Sequence, residues 1–132
     1  MIRVIILFVL LLYTSLGLAN DDWIEGPFSD EYAYSYQSGS FAIIENKLGA
    51  EVAIIVSRLI DKKTKQITLG KLYVATSDCA KKSGKIVSLN LDGVYLFEND
   101  FIHGAGSLAS ANAEFICAVY SKVQSDKLDK GI

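Results

Sequence analysis

The sequence predicts an α+β domain: an antiparallel β-sheet meander of about five or six strands with a C-terminal helix packed on it and one disulfide. Three observations lead to this prediction. Strand-like runs follow one another with short polar turns between them, an alanine-rich segment without proline comes near the end, and two cysteines lie 38 positions apart. Successive strands joined by short turns favour an antiparallel meander over βαβ units, which need long crossovers.

Residues 1–19 are typical of a signal peptide. A single cation, Arg3, precedes the apolar run 4–12, and the small residues Gly17 and Ala19 suit a cleavage site. The run is too short to span a bilayer, which takes about 20 apolar residues. An uncleaved membrane anchor is the alternative. No cysteine follows the run, so we expect no lipid anchor and predict export to the periplasm or to the extracellular space or cell surface, without membrane contact after cleavage.

The chain that follows the leader has room for one domain. We predict a single α+β domain at residues 20–122 and a flexible, polar C-terminal tail at residues 123–132, because a chain of this length builds one modest hydrophobic core. The sequence has 13 basic and 15 acidic residues and a net charge of −2. A nucleic-acid-binding protein needs a basic face that neutralises phosphates. We therefore predict no nucleic-acid partner.

The first segment of this domain is acidic and aromatic. Between the leader and Lys47 it has no lysine or arginine, and it contains Trp23 and the alternating tyrosines Tyr32, Tyr34 and Tyr36. Alternation places the three tyrosines on one face of a strand. They are either a contact surface for a partner, together with Trp23, or the buried face of a first strand.

Three β-strands are predicted next. The runs 40–46 and 50–60 form a hairpin around Gly49, and a lysine-rich turn at 61–66 leads to the run 67–77. The lysines of this turn are most simply a solvated hairpin tip, with an anion-binding site as the alternative.

The last hairpin and the helix complete the predicted fold. The run 84–91 meets the turn signal Asp92-Gly93 and returns as 94–98, and the alanine-rich segment 107–123 is predicted to be helical. One face of this helix is expected to pack on the sheet through Ala109, Ala113, Ile116, Cys117 and Tyr120.

Two cysteines, Cys79 and Cys117, are the only ones in the chain. An even number of cysteines in an exported protein favours a disulfide. A bridge over this loop would stabilise the fold by about 4 kcal/mol in the chain-entropy estimate. Two free thiols or a metal pair are the alternatives, although structural zinc uses closer ligand pairs than these.

Asp100, His103 and Ser107 are the residue types of a hydrolase triad within eight positions. The nucleophile-elbow pattern is absent, however, and Ser107 also suits the N-cap of the helix, with Gly104 and Gly106 giving the preceding turn its freedom. We therefore predict that the protein is not an enzyme, and we expect neither a cofactor nor a metal site.

Residues 71–91, KLYVATSDCAKKSGKIVSLNL, and 110–122, SANAEFICAVYSK, resemble the surface-adhesin protein E family of small exported bacterial proteins. The resemblance covers roughly residues 70–122. It implies an antiparallel sheet with a packed helix, a disulfide between Cys79 and Cys117, and a family activity of binding host extracellular-matrix and serum proteins.

These observations predict an exported, non-enzymatic protein-binding module, adhesin-like, whose partner is another protein. The candidate contact residues are Trp23, Tyr32, Tyr34 and Tyr36. The alternative is a periplasmic inhibitor or immunity protein that neutralises a secreted toxin or lytic enzyme. The partner is accordingly a host matrix protein in the first case and a bacterial toxin or enzyme in the second.

Overall fold

A computed structural model describes residues 22–130, and the predicted leader therefore lies outside the described residues. The described chain forms a seven-stranded antiparallel sheet and two helices. The elements are β1 (Trp23–Phe28), β2 (Tyr32–Gln37), β3 (Ala42–Glu45), β4 (Glu51–Asp61), β5 (Ile67–Ala75), α1 (Thr76–Lys81), β6 (Ser83–Leu89), β7 (Tyr95–Ile102) and α2 (Leu108–Lys130). The predicted α+β class, with a sheet, a packed C-terminal helix and one disulfide, is confirmed.

The long strand β4 organises the sheet. The strand order is β1-β2-β4-β5-β6-β7, and β3 also pairs with β4. β3 pairs with the first part of β4, from Glu51 to Ile54, whereas β2 pairs with the last part, from Ser57 to Asp61. Since β5 occupies the other side of β4, two short strands share one edge of a single long strand.

Two elements differ from the prediction. The strand β1 was not predicted, because Gly26 and Pro27 interrupt its pattern. In the structure, the pairing of β1 with β2 shifts register between Glu25 and Phe28. Proline is tolerated there because β1 is an edge strand. The short helix α1 was not predicted either: its first two residues, 76–77, were assigned to the end of the strand 67–77. The helix ends at Lys81, and the C-cap residue Lys82 has a left-handed φ of 63°.

The core lies between the sheet and α2. Tyr36 is 0% exposed; its ring stacks on Phe115 with centroids 4.2 Å apart, and its hydroxyl donates a hydrogen bond to Asn112 Oδ1. Burial raises the pKa of the Tyr36 phenol far above its ordinary value, with a smaller contribution from Tyr34. The predicted sheet-facing side of the helix is confirmed: Ala113 and Ile116 are buried, and Ala109, Cys117 and Tyr120 pack against the core.

The ends of α2 are set by different signals. Ser107 is the N-cap, as predicted, because its Oγ accepts a hydrogen bond from the Ser110 N–H at 3.1 Å. The helix continues to Lys130 and thus includes residues 123–130, which we had assigned to the tail. No glycine or proline interrupts the chain before Gly131, so nothing in the sequence stops the helix earlier.

The disulfide ties the two helices together. Cys79 of α1 and Cys117 of α2 are bonded, with their Cα atoms 5.4 Å apart. The predicted pairing is confirmed. Because α1 follows β5 directly, the bond fixes the middle of α2 to the end of a central strand.

Candidate partner-binding groove

Two hairpin loops of the sheet have the same structure. In the 46–50 loop, the Asn46 N–H donates to the Ala50 carbonyl at 2.9 Å, and Asn46 Oδ1 accepts the Ala50 N–H at 2.9 Å. In the 90–94 loop, Asn90 and Val94 make the same two bonds at the same distances. A side-chain oxygen that binds a nearby backbone N–H in this way fixes the loop conformation.

A glycine completes each loop. The Gly49 N–H donates to the Asn46 carbonyl at 3.0 Å, and the Gly93 N–H donates to the Asn90 carbonyl at 3.0 Å. Their φ angles are +83° and +87°, a left-handed conformation that glycine adopts without steric cost. The two loops are therefore pre-formed by the same residue types at the same spacing.

A groove lies between these loops on the face of the sheet opposite α2, which we call the outer face. Its volume is about 410 Å³, within the range of ligand-binding clefts. Strand pairing brings its floor together, because Ile54 lies opposite Tyr73, and Leu89 lies opposite both Lys71 and Tyr95. Its lining consists of Ile44, Glu45, Asn46, Lys47, Leu48, Val52, Ile54, Lys71, Tyr73, Leu89, Gly93, Val94 and Tyr95.

The groove is mainly apolar, and the charged residues of its lining are Lys47, Lys71 and Glu45. Among residues 22–128, neither the Lys47 nor the Lys71 ammonium has a carboxylate partner. At one wall the Tyr95 hydroxyl donates to Glu98 Oε1 at 3.0 Å. The pKa of Tyr95 is raised, because partial desolvation and the nearby Glu98 carboxylate both disfavour the phenolate. The groove therefore suits an apolar group that has a carboxylate beside it.

Part of the groove wall is strongly exposed. Leu48, in the 46–50 loop, is 91% exposed, and Val94 and Tyr95 are also exposed. Large exposed apolar side chains that cluster around a concavity mark interaction sites on proteins. The described residues contain no cluster of three metal-ligating side chains at this or any other place.

The sequence-predicted contact residues do not form one surface. Tyr36 and Tyr34 face α2; Tyr36 is buried and Tyr34 is half-buried. Trp23 lies on the outer face, where the Arg58 guanidinium stacks 4.5 Å from the centre of its ring. A buried side chain offers no area to a partner, so within that set the contact hypothesis now rests on Trp23 and on Tyr32, which is 38% exposed.

The triad-like residues each have another partner. Asp100 forms an ion pair with Lys85. His103 Nε2 lies 3.6 Å from Glu114 Oε1.

The third member, Ser107, donates to Ser110 Oγ at 3.0 Å while it caps α2. None of the hydrogen bonds that would link an acid, a base and a nucleophile is present among these three side chains. In the structure Asp100 pairs with Lys85 of β6, His103 lies beside Glu114 of α2, and Ser107 caps α2.

The groove was not predicted from the sequence, although a signal for it is present. The stretches NKLGA (46–50) and NLDGV (90–94) share the pattern Asn-x-x-Gly, followed by a small or β-branched residue. We interpreted each as an isolated turn. The two loops close hairpins that point in opposite directions along the sheet, since the first precedes β4 and the second follows β6, and only the assembled sheet shows that both line one groove.

Comparisons of the chain with protein-family models, with curated proteins and with solved structures gave no match. No helix within residues 22–130 is long and apolar enough to cross a membrane.

Proposed function

We propose that this chain is an exported, non-enzymatic protein-binding module that holds a segment of its partner in the outer-face groove. The observation that carries the proposal is the groove itself, which is apolar, open and bounded by two pre-formed loops. Pre-formed loops favour binding because less conformational entropy is lost when the partner docks.

The occupant of the groove is an extended segment with an apolar side chain next to an aspartate or glutamate. The apolar side chain contacts Ile54, Tyr73 and Leu89 on the floor, and the carboxylate meets Lys71. Charge complementarity supports this choice, because the groove places ammonium groups beside apolar surface without a carboxylate partner in the described chain.

Export and an adhesin-like role are part of the proposal. The leader-like residues 1–19 and the Cys79–Cys117 bond fit an oxidising compartment outside the cytoplasm. The resemblance of residues 70–122 to the surface-adhesin protein E family supports a partner among host matrix or serum proteins.

A second candidate function is inhibition of a secreted toxin or lytic enzyme. The observation that favours it is Leu48, which projects from a loop whose conformation is fixed by two hydrogen bonds to Asn46 Oδ1, at 3.0 Å and 2.9 Å. A rigid loop with a projecting apolar side chain can enter an active-site cleft at low entropic cost. The two functions use the same groove wall and differ in the partner.

Comparative affinity capture tests the proposal. The baits are the wild-type protein, Leu48→Asp and the matched control Leu128→Asp, which changes an equally large and strongly exposed leucine near the end of α2. We expect a protein that binds the wild type and Leu128→Asp but is lost with Leu48→Asp. Equal capture by all three baits, or no specific capture, contradicts the proposal. If the captured protein is a hydrolase or toxin whose activity falls when it is bound, the inhibitor function is the correct one.

A further inference from the structure

The strand β7 is the last strand in the sheet order, and one of its sides has no neighbouring strand. The direction of its backbone groups follows from a single hydrogen bond. The His103 N–H donates to the Lys82 carbonyl at 2.9 Å, so the backbone N–H of His103 points toward β6. Because neighbouring residues of a strand point in opposite directions, the N–H groups of Ile102, Asp100 and Glu98 point away from the sheet.

On this outer side of β7, the backbone groups at one end form hydrogen bonds among the described residues, whereas those of Glu98 and Asp100 do not. The Ile102 N–H donates to Ser110 Oγ at 3.1 Å, and the Ile102 carbonyl accepts the Ala105 N–H at 3.1 Å. The N–H groups of Glu98 and Asp100, in contrast, have no hydrogen-bond partner within the described chain. All side chains of residues 95–100 are exposed. A register shift leaves Leu96 out of the pairing with β6, so we call residues 97–100 the open edge of β7.

We propose that the open edge of β7 binds an extended segment of a partner protein, which pairs with it antiparallel as an eighth strand and carries lysine or arginine at alternate positions. Strand addition to an exposed edge is an established way in which sheets bind peptides. This inference is independent of the groove, because it rests on backbone groups at the sheet edge rather than on the outer-face lining.

The charge of the open edge defines the partner. Glu98 and Asp100 lie on one face of β7, and the Asp100 side chain is 80% exposed. Lys85 forms an ion pair with Asp100, but it belongs to β6 and therefore lies behind β7 as seen from the edge. A strand that pairs beyond β7 meets the two carboxylates first, and cations opposite them are favourable.

A second copy of the chain that pairs through its own β7 is the wrong occupant. Antiparallel pairing of two β7 strands through their outward-pointing residues would place Glu98 or Asp100 of one copy opposite the same residues of the other. Like charges directly opposite each other destabilise a strand pair. The edge therefore selects a basic segment of another protein.

The side chains of β7 that lie on the α2 side of the sheet define which residues of the partner strand should alternate with the cations. Phe97 and Asn99 alternate with the carboxylates and lie on the side of α2, and the Phe97 ring is half exposed. In an antiparallel partner strand, the residue that follows the cation opposite Glu98 lies opposite Phe97, and an apolar side chain there would contact the Phe97 ring. The simplest probe is therefore a seven-residue peptide of alternating lysine and valine, KVKVKVK, acetylated and amidated.

Two N-methylated peptides separate strand pairing from charge attraction. Residues paired with Glu98 and Asp100 point their own N–H groups toward β7. Methylation of the backbone nitrogens of the lysine residues therefore blocks pairing. Methylation of the backbone nitrogens of the valine residues leaves the pairing side intact, and both peptides keep the same charge. A fourth peptide has glutamate in place of lysine.

Binding is measured by fluorescence anisotropy at low salt, and protection of backbone amides by hydrogen exchange. We expect KVKVKVK and its valine-methylated form to bind, and the lysine-methylated form to bind at least tenfold more weakly. The glutamate peptide should not bind. The double variant Glu98→Gln, Asp100→Asn should weaken binding at least tenfold, Leu48→Asp should leave it unchanged, and the amides of Glu98 and Asp100 should become protected.

Several results would overturn the inference. If both methylated peptides bind equally, or if KVKVKVK does not bind, strand addition does not occur at this edge. Protection that appears around the groove, together with loss of binding in Leu48→Asp, would assign the peptide to the groove instead. Failure of this test leaves the groove proposal standing, because the two experiments change different residues.

Discussion

Asn46 and Asn90 share a set of matching hydrogen bonds in two hairpin loops that line one groove. Each side-chain oxygen accepts the N–H of the residue four positions later, and each backbone carbonyl accepts the N–H of a glycine with positive φ. Both walls of the groove are therefore fixed by local hydrogen bonds of the same kind.

Asn46→Ala should loosen the 46–50 loop without unfolding the domain. The amide groups of Leu48 and Ala50 lose their acceptor but can bind water, so we expect a loss of about 1 kcal/mol or less in the free energy of unfolding. Hydrogen exchange at these two amides should speed up. Asn99→Ala is the control, since Asn99 is exposed and makes no side-chain hydrogen bond within the described residues. Unchanged exchange in Asn46→Ala would show that the loop is held by other interactions.

Removal of the disulfide should be the most destabilising of these changes. The double variant Cys79→Ser, Cys117→Ser is expected to lose roughly 4 kcal/mol, because the bond closes a loop of 38 residues in the unfolded chain. Urea denaturation of the oxidised wild type, the reduced wild type and the double variant measures this loss. Equal stability of the oxidised and reduced proteins would contradict a structural role for the bond.

Tyr36→Phe should destabilise the core by about 1–3 kcal/mol, because Asn112, which is 2% exposed, then keeps an amide oxygen without its donor. The variant should also change the pH dependence of stability. The pKa of Tyr36 is raised in the folded state because the buried phenol is stable only when neutral. The contribution of the neutral phenol to the free energy of unfolding is fully present below the unfolded pKa of 10.0 and is lost as the pH rises above it.

Urea midpoints measured from about pH 9 to about pH 11.5 test this dependence. The wild type should lose stability over this window more steeply than Tyr36→Phe. The pKa of Tyr34 is also raised, because burial desolvates its phenol. Part of the loss of stability with rising pH therefore remains in Tyr36→Phe. Parallel curves for the two proteins would show that Tyr36 ionises as readily in the folded state as in the unfolded state.

Ser107 and His103 should contribute to stability in very different amounts. Ser107→Ala removes the N-cap of α2 and is expected to cost about 0.5–2 kcal/mol. His103→Ala removes only an exposed contact with Glu114, so the free energy of unfolding should change by less than about 0.5 kcal/mol. A hydrolytic activity that is present in the wild type and lost in His103→Ala would overturn the proposal of a non-enzymatic protein.

The sequence predicted those parts of the fold that depend on local pattern. The strand runs, the turn at Gly49, the cap at Ser107 and the sheet-facing side of α2 follow from residue periodicity and capping chemistry. The strand β1 was not predicted because the bulge that accommodates Gly26 and Pro27 breaks the periodicity.

The groove was beyond sequence reasoning for a different reason. Its floor comes from β3 to β7, and its walls are two loops that lie 44 positions apart in the chain. Local pattern predicts each loop but not their proximity, which depends on β3 pairing with the first part of β4. The three alternating tyrosines show another limit of sequence reasoning. Their periodicity correctly placed Tyr32, Tyr34 and Tyr36 on one face of β2, but it did not show that α2 covers this face.

Site-specific photocrosslinking in the native envelope tests the central claim most directly. A photoreactive phenylalanine analogue is placed at Leu48 in one protein and at Leu128 in a control, both of which are strongly exposed. A protein that docks in the groove should form one discrete crosslinked product from position 48 and none from position 128. Identical products from both positions, or no product from position 48, would contradict the assignment of the groove as the partner-binding site.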